Sequence, residues 1–127
     1  MADDDALILC IDDDPDILGY LKIVLESEGF RFTGAASAEE GLRAYDATRP
    51  DLVIVDLMME EVDSGTTFAK ELLLRENTAP VFLLSSVGDN LNLTADYNAL
   101  GLAGVFQKPL AKEPLLAVIL AKLKQAG

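Results

Sequence analysis

Residues 51–56 read Asp51-Leu52-Val53-Ile54-Val55-Asp56, an unbroken apolar and mostly β-branched run that ends at an acidic residue. Two further apolar runs, Ala6–Ile11 and Val81–Leu84, also end at polar residues. A strand with one solvent-exposed face alternates apolar and polar residues, and these runs do not alternate. They therefore indicate strands of a parallel sheet that is covered by helices on both faces.

Helical patterns lie between these runs and two weaker strand candidates, Phe30–Ala35 and Ala103–Phe106. We expect five helices. The first begins at Asp14-Pro15 and ends at Gly29, and the second begins at the Ser37 and Glu40 capping box and ends before Pro50. The third runs from about Thr66 to Arg75, the fourth from Leu91 to Leu100, and the fifth begins at Pro114. The expected fold is α/β, with a doubly wound, five-stranded parallel sheet and five helices.

The composition limits the possible functions. With 127 residues, the chain is expected to form a single domain over residues 1–127, with a frayed terminus at residues 1–5 and no output domain. Lys and Arg number 10 against 22 Asp and Glu, and the resulting charge of −12 argues against direct binding of nucleic acid or anionic lipid.

One cysteine and no histidine exclude an internal disulfide, zinc ligation by cysteine or histidine, and histidine catalysis. No apolar run approaches the ~18 residues of a membrane span, and the N-terminus is acidic where a secretory signal would be basic. The expectation is a cytoplasmic domain with no membrane attachment.

Polar and charged side chains follow four of the predicted strands. They are Asp12-Asp13-Asp14, Asp56, Ser85-Ser86 and Lys108. Because parallel strands bring their carboxyl ends to one edge, these residues should converge there. Two carboxylates 4 Å apart repel by about 4 kcal/mol at an effective dielectric of 20, so a cluster of three must be neutralised. An all-oxygen set of this kind suits Mg²⁺ and indicates a divalent-cation pocket that supports phosphoryl chemistry.

Four motifs occur in a fixed order: Ile11-Asp12-Asp13-Asp14-Pro15-Asp16-Ile17-Leu18, then Asp51 through Asp56-Leu57-Met58-Met59, then Pro80-Val81-Phe82-Leu83-Leu84-Ser85-Ser86, then Lys108-Pro109. Over essentially the whole chain this arrangement resembles the receiver domain of two-component response regulators. The resemblance implies a flavodoxin-like (βα)5 fold with strand order 2-1-3-4-5. It also implies a switching module that catalyses only its own phosphorylation and dephosphorylation, and not a turnover enzyme.

The resemblance assigns a role to each strand-end residue. It implies phosphorylation of Asp56 by a sensor histidine kinase or a histidine phosphotransfer protein. It implies that Mg²⁺ is bound by Asp13, Asp56, the Met58 backbone carbonyl and, through water, Asp12. It also implies that Ser85, Lys108 and the Ser86 backbone bind the phosphate or take part in the switch. The signal would leave through the face of the fourth helix, fifth strand and fifth helix, around Leu91–Leu100 and Val105–Leu116, to a downstream protein or a phosphorylation-linked homodimer.

The sequence departs from the family pattern at several positions. Glu60-Glu61 stand where many receivers have Pro-Gly, and Val105 stands where an aromatic residue is common. By strand alternation, Phe106 should point to the sheet face opposite Val105 and cannot replace that aromatic. Met58 lies two residues after Asp56, and Val87 lies two residues after Ser85. Both side chains are apolar and cannot orient an attacking water. We therefore expect slow loss of the phosphoryl group.

Three alternatives remain at this stage. Asp12-x-Asp14 after a strand resembles the nucleophile motif of haloacid-dehalogenase phosphohydrolases, which are Mg²⁺-dependent but normally have a longer chain. A degenerate receiver would act only as a binding module, although the intact acids, hydroxyl and lysine count against it. A flavodoxin is disfavoured because the first loop is acidic, whereas a phosphate needs hydrogen-bond donors.

Overall fold

Five strands and four helices occupy the described part of the chain, which in this computed structural model comprises residues 6–56, 64–85, 102–107 and 110–126. The strands are β1 (Leu7–Ile11), β2 (Arg31–Ala35), β3 (Leu52–Asp56), β4 (Val81–Ser85) and β5 (Leu102–Gln107). The helices are α1 (Pro15–Ser27), α2 (Ala38–Thr48), α3 (Ser64–Leu74) and the C-terminal helix (Lys112–Ala126). The predicted helix Leu91–Leu100 lies outside the described residues.

The strands form one sheet in the order β2-β1-β3-β4-β5, and every neighbouring pair is parallel. The order reverses between β1 and β3, which makes the carboxyl ends of these two strands the switch point of the sheet. The predicted fold class and strand order are confirmed.

Alternate residues of the inner strands contribute to two separate cores. On one face Ile8, Cys10, Leu52, Ile54, Phe82 and Leu84 pack with Leu21 and Leu25 of α1 and with Leu115 and Ile119 of the C-terminal helix. On the other face Leu9, Ile11, Val53, Val55 and Leu83 pack with Tyr45 of α2 and with Phe68 and Leu72 of α3. Each fully buried aliphatic side chain stabilises the fold by about 1.5–3 kcal/mol, so both sides of the sheet fix the strand register.

The helix boundaries follow local capping chemistry. The Asp14 carboxylate accepts a hydrogen bond from the Asp16 N–H at 2.9 Å, and Pro15 occupies the first helical position of α1. In the predicted capping box, the Ser37 hydroxyl accepts from the Glu40 N–H at 3.1 Å and Glu40 accepts from the Ala36 N–H at 3.1 Å. These two predicted starts are confirmed.

Two other boundaries bear on the sequence predictions. Gly29, at φ 90°, follows the end of α1 as predicted, because a left-handed conformation costs glycine little. The C-terminal helix begins at Lys112, two residues earlier than the predicted start at Pro114. Amide groups in the first helical turn have no partner within the helix, so a proline is accepted inside that turn.

A polar network joins α2 and α3 at the end of the sheet remote from the strand-end acids. The Tyr45 hydroxyl donates to Asn77 Oδ1 at 2.8 Å, and the Arg75 guanidinium donates to Asp46 at 2.9 and 3.3 Å and to Glu71 at 3.0 Å. The hydrogen bond from Arg75 holds the pKa of Asp46 below its usual value. These contacts lie at the edge of the core and on the surface, and they were not predicted.

Within the described ranges, no helix is both long enough and apolar enough to cross a lipid bilayer.

Candidate functional site

Asp56 is the last residue of β3, the central strand of the sheet. Strand β3 is paired with β1 on one side and β4 on the other, and Asp56 lies beside Leu84. All residues of the strand are buried, and Asp56 itself is only 4% exposed. The sheet therefore holds this carboxylate rigidly at its carboxyl edge.

Asp12 follows β1 at the same edge. Its N–H donates to the Ala35 carbonyl at 3.0 Å, which extends the β1–β2 pairing by one step. The last paired residues of β1 and β3 are Ile11 and Val55, so the next step in each strand is Asp12 and Asp56. Asp12 is fully buried, and its position beside β3 follows directly from the register.

Asp13 completes a cluster of three acids. One carboxylate oxygen from each of Asp12, Asp13 and Asp56 lies within 4.8 Å of the others. Asp12 and Asp56 are buried, whereas Asp13 is exposed, so the cluster opens to solvent on one side. The predicted convergence of these residues is confirmed. Three carboxylates at this spacing repel one another, and a hard divalent cation with oxygen ligands fits the donor set.

Asp14 makes two hydrogen bonds beside the cluster. Its N–H donates to Asp12 Oδ1 at 2.9 Å, and its carboxylate caps α1. The cap was predicted, but the bond to Asp12 was not. The signal was nevertheless present in the sequence, because aspartate commonly accepts a hydrogen bond from the N–H two residues later.

Ser85 ends β4 and is fully buried, and it lies beside Gln107 of β5 in the sheet register. It is thus at the same edge as Asp56, as predicted, since Asp56 pairs with the residue just before Ser85. Four other residues of interest lie outside the described residues: Met58, Ser86, Val87 and Lys108.

Val105 and Phe106 face opposite sides of the sheet. Val105 packs with the core that contains α2 and α3, and Phe106 packs with the core that contains α1 and the C-terminal helix. The predicted alternation is confirmed. A register shift between Val81 and Phe82 on β4 pairs Phe82 with Gly104, and the missing side chain of Gly104 leaves room for the Phe82 ring.

Cys10 lies in β1, close to the acid cluster, but is fully buried. Burial raises the pKa of its thiol well above the ordinary value, and the nearby charge of Asp12 raises it further. The thiol is therefore protonated at neutral pH and acts as a core residue, because a reactive cysteine needs an accessible thiolate.

Comparison with known proteins agrees with this arrangement. The family described as Response regulator receiver domain matches residues 8–120 of the chain. The chain belongs to this family. It is a receiver domain of a two-component response regulator, and neither the phosphohydrolase nor the degenerate alternative is favoured.

Its sequence relatives include transcriptional regulatory proteins. The chain is 36% identical to GlrR of Escherichia coli over 127 residues, which is 100% of this chain and 28% of that protein. It is 36% identical to YvrH of Bacillus subtilis over 124 residues, covering 96% of this chain and 51% of that protein. The chain thus spans between about a quarter and about half of the relatives that it matches.

Solved receiver domains share the fold over nearly their full length. A receiver domain protein from Clostridium thermocellum superimposes with a TM-score of 0.86 at 29% identity, covering 95% of this chain and 96% of that one. The chemotaxis protein CheY4 of Vibrio cholerae gives a TM-score of 0.84 at 25% identity, covering 93% and 98%. Receiver domains are typically signalling modules that interact with histidine kinases and downstream effector domains.

Proposed function

We propose that this receiver domain accepts a phosphoryl group on Asp56 from a sensor histidine kinase or a histidine phosphotransfer protein, in a Mg²⁺-dependent reaction. The observation that carries the proposal is the convergence of Asp12, Asp13 and Asp56, whose carboxylate oxygens lie within 4.8 Å of one another. Asp56 is the member of the cluster at the end of the central strand, where the sheet positions it most firmly.

The proposed step is a displacement at phosphorus. A carboxylate oxygen of Asp56 attacks the phosphorus of a phosphohistidine or of a small acyl phosphate. A bond forms between that oxygen and phosphorus, and the bond from phosphorus to the donor atom breaks. The bonding electron pair leaves with the imidazole or the carboxylate of the donor, and the product on this chain is an aspartyl phosphate.

Asp13, Asp56 and the Met58 backbone carbonyl would hold the cation directly, and Asp12 would hold it through water. When bound, Mg²⁺ supplies positive charge that offsets both the acids and the phosphoryl oxygens. The oxygen-only donor set fits this ion. Asp12 is buried and its Oδ1 accepts a hydrogen bond from the Asp14 N–H, so it would also fix the shape of the pocket.

Ser85, Lys108 and the backbone of Ser86 would receive the phosphoryl oxygens. The hydroxyl of Ser85 can donate a hydrogen bond, and the ammonium of Lys108 can pair with an oxygen as a compact charge. The new acceptor on Asp56 would draw the Ser85 segment toward it, and this movement is the proposed switch.

The domain as a whole would act by switching contacts with other proteins. We propose that residues 1–127 form a single receiver unit whose output passes through the surface around Leu91–Leu100 and Val105–Leu116. In a longer protein an attached effector domain would carry any DNA binding, since the charge of −12 on this chain disfavours direct contact with DNA.

The test is phosphorylation by a small donor. The chain incubated with acetyl phosphate and MgCl₂ should gain one phosphoryl group by intact mass, and excess EDTA should prevent the gain. Asp56→Asn should abolish the gain, whereas Asp16→Asn, which removes an exposed acid on α1, should keep it. A gain that persists in Asp56→Asn would contradict the proposal.

A further inference from the structure

We propose that Asp14 is a positioning residue for the cation site, acting through Asp12 and Asp13 and not as a ligand. The inference rests on the proposed function, because it concerns how the chain holds that same site.

Two hydrogen bonds of Asp12 bear on its position. Its backbone N–H donates to the Ala35 carbonyl of β2 at 3.0 Å, and its Oδ1 accepts from the Asp14 N–H at 2.9 Å. The first bond fixes the main chain, and the second fixes the orientation of the carboxylate. The position of the Asp14 amide therefore contributes to the side-chain orientation of Asp12.

Asp14 is in turn fixed by α1. Its carboxylate accepts from the Asp16 N–H at 2.9 Å, and its carbonyl accepts from the Ile17 and Leu18 amides at 3.1 and 3.2 Å. Its backbone has the extended conformation of a helix N-cap, with φ −94° and ψ 111°. The cap therefore determines the direction in which the Asp14 N–H points.

Asp13 lies between these two fixed residues. It is exposed, so no surrounding core restrains its side chain. Its position is limited instead by Asp12, bonded to β2, and by Asp14, bonded to α1. Loss of the Asp14 cap would loosen the start of α1 and, with it, the positions of Asp12 and Asp13. Groups that orient metal ligands in this way commonly change metal affinity when they are removed.

Asp14 also adds a negative charge near the cluster, and substitutions can separate this effect from positioning. Asparagine and serine are good N-caps without the charge, whereas alanine is a poor one. If position matters, Asp14→Asn and Asp14→Ser should retain most of the affinity and Asp14→Ala should lose it. If charge matters, all three should lose affinity equally.

The test is calorimetric titration of the full chain with MgCl₂, together with the rise in Tm that saturating MgCl₂ produces. We expect Asp14→Ala to weaken Mg²⁺ binding by about tenfold and to lose most of the Tm rise, with Asp14→Asn and Asp14→Ser within about twofold of the parent. A merely structural cap would lower the starting Tm but leave the Mg²⁺-induced rise unchanged.

Equal losses in all three variants, or unchanged binding in Asp14→Ala, would overturn the proposal. If Asp14→Ala does not fold, Asp14→Asn and Asp14→Ser still test the proposal, because a large loss of affinity in both good caps would show that the charge of Asp14 matters and its cap does not. Failure of the parent chain to bind Mg²⁺ would instead overturn the proposed function, so the two failures are distinguishable.

Discussion

The ring of Phe106 on β5 stacks on the ring of Phe82 on β4, with centroids 4.9 Å apart and planes 26° apart. Phe82 is buried, and both rings belong to the core beneath α1 and the C-terminal helix. Val105, one residue earlier, faces the other core. Phe106 is thus placed on the sheet face opposite Val105.

Phe106→Leu should lower the free energy of unfolding by about 1 kcal/mol, because it removes one ring of a stacked pair while keeping an apolar side chain. Urea denaturation measures this change, and phosphorylation by acetyl phosphate should be unaltered. Ile23→Ala is the control: Ile23 is 72% exposed, so its truncation should change stability by less than about 0.5 kcal/mol. Loss of phosphorylation in Phe106→Leu would show that the ring takes part in the switch.

Gly19 and Gly41 lie inside helices but should respond oppositely to alanine. Among the described residues, a Cβ on Gly19 would meet nothing within 4 Å, whereas one on Gly41 would lie 2.8 Å from Ile11 and 3.0 Å from Phe68. Gly19→Ala should therefore stabilise the chain by about 0.5–1 kcal/mol. Gly41→Ala should destabilise it by about 1–3 kcal/mol through overpacking. Thermal denaturation of both variants checks the pair, and a stabilising Gly41→Ala would contradict the close approach of α2 to the sheet.

The ion pair between Asp46 and Arg75 should make stability depend on acid pH. Arg75 lowers the folded-state pKa of Asp46 below its ordinary value of 3.8. As pH falls, the unfolded chain therefore takes up this proton first, so the stabilisation is present above that value and is lost as pH falls through the folded pKa.

Asp46→Asn should accordingly reduce the fall in unfolding free energy as the pH is taken from neutral to below 3.8, as measured by urea denaturation at each pH. Arg75→Gln should reduce this fall as well, and it also removes the pairing with Glu71. The double substitution should reduce it little more than Arg75→Gln alone, because both single changes remove the Asp46–Arg75 interaction. The difference should shrink at high salt, since both side chains are partly exposed. Additive effects of the two substitutions would contradict the pairing.

The phosphoryl group on Asp56 should be lost slowly. Hydrolysis requires water to attack phosphorus and release inorganic phosphate, and the apolar side chains of Met58 and Val87 cannot orient that water. Met58→Asn and Met58→Glu should shorten the lifetime by about tenfold or more, as measured by intact mass over time. Met59→Asn, one residue away, should leave it unchanged. A parent lifetime of seconds at neutral pH with Mg²⁺ would be incompatible with this prediction.

The sequence predicted the strands of the buried sheet well, because a continuous apolar run leaves few alternatives. The predicted Leu52–Val55 run became β3 (Leu52–Asp56), and Val81–Leu84 became β4 (Val81–Ser85). The acids of the site were predictable for the same reason. They directly follow buried strands, so the parallel topology alone brings them together.

Polar contacts between side chains far apart in the sequence were not predictable. The pairing of Asp46 with Arg75 joins residues 29 apart in sequence, and that of Tyr45 with Asn77 joins residues 32 apart. Nothing in the local pattern of either helix specifies these partners. The left-handed backbone of Arg49 was missed as well, since this conformation favours glycine and Arg49 adopts it at the end of α2.

The double-sided pairing of β3 restricts how chains of this kind can diverge in length. One residue inserted before Asp56 within the strand would rotate the carboxylate to the opposite face, and one residue removed would do the same. A change placed before Val53 would also exchange the cores that Val53 and Ile54 face, and side chains of different shape would then meet each core. Insertions and deletions should therefore accumulate in the connecting segments, while the strand itself tolerates only substitutions of similar volume.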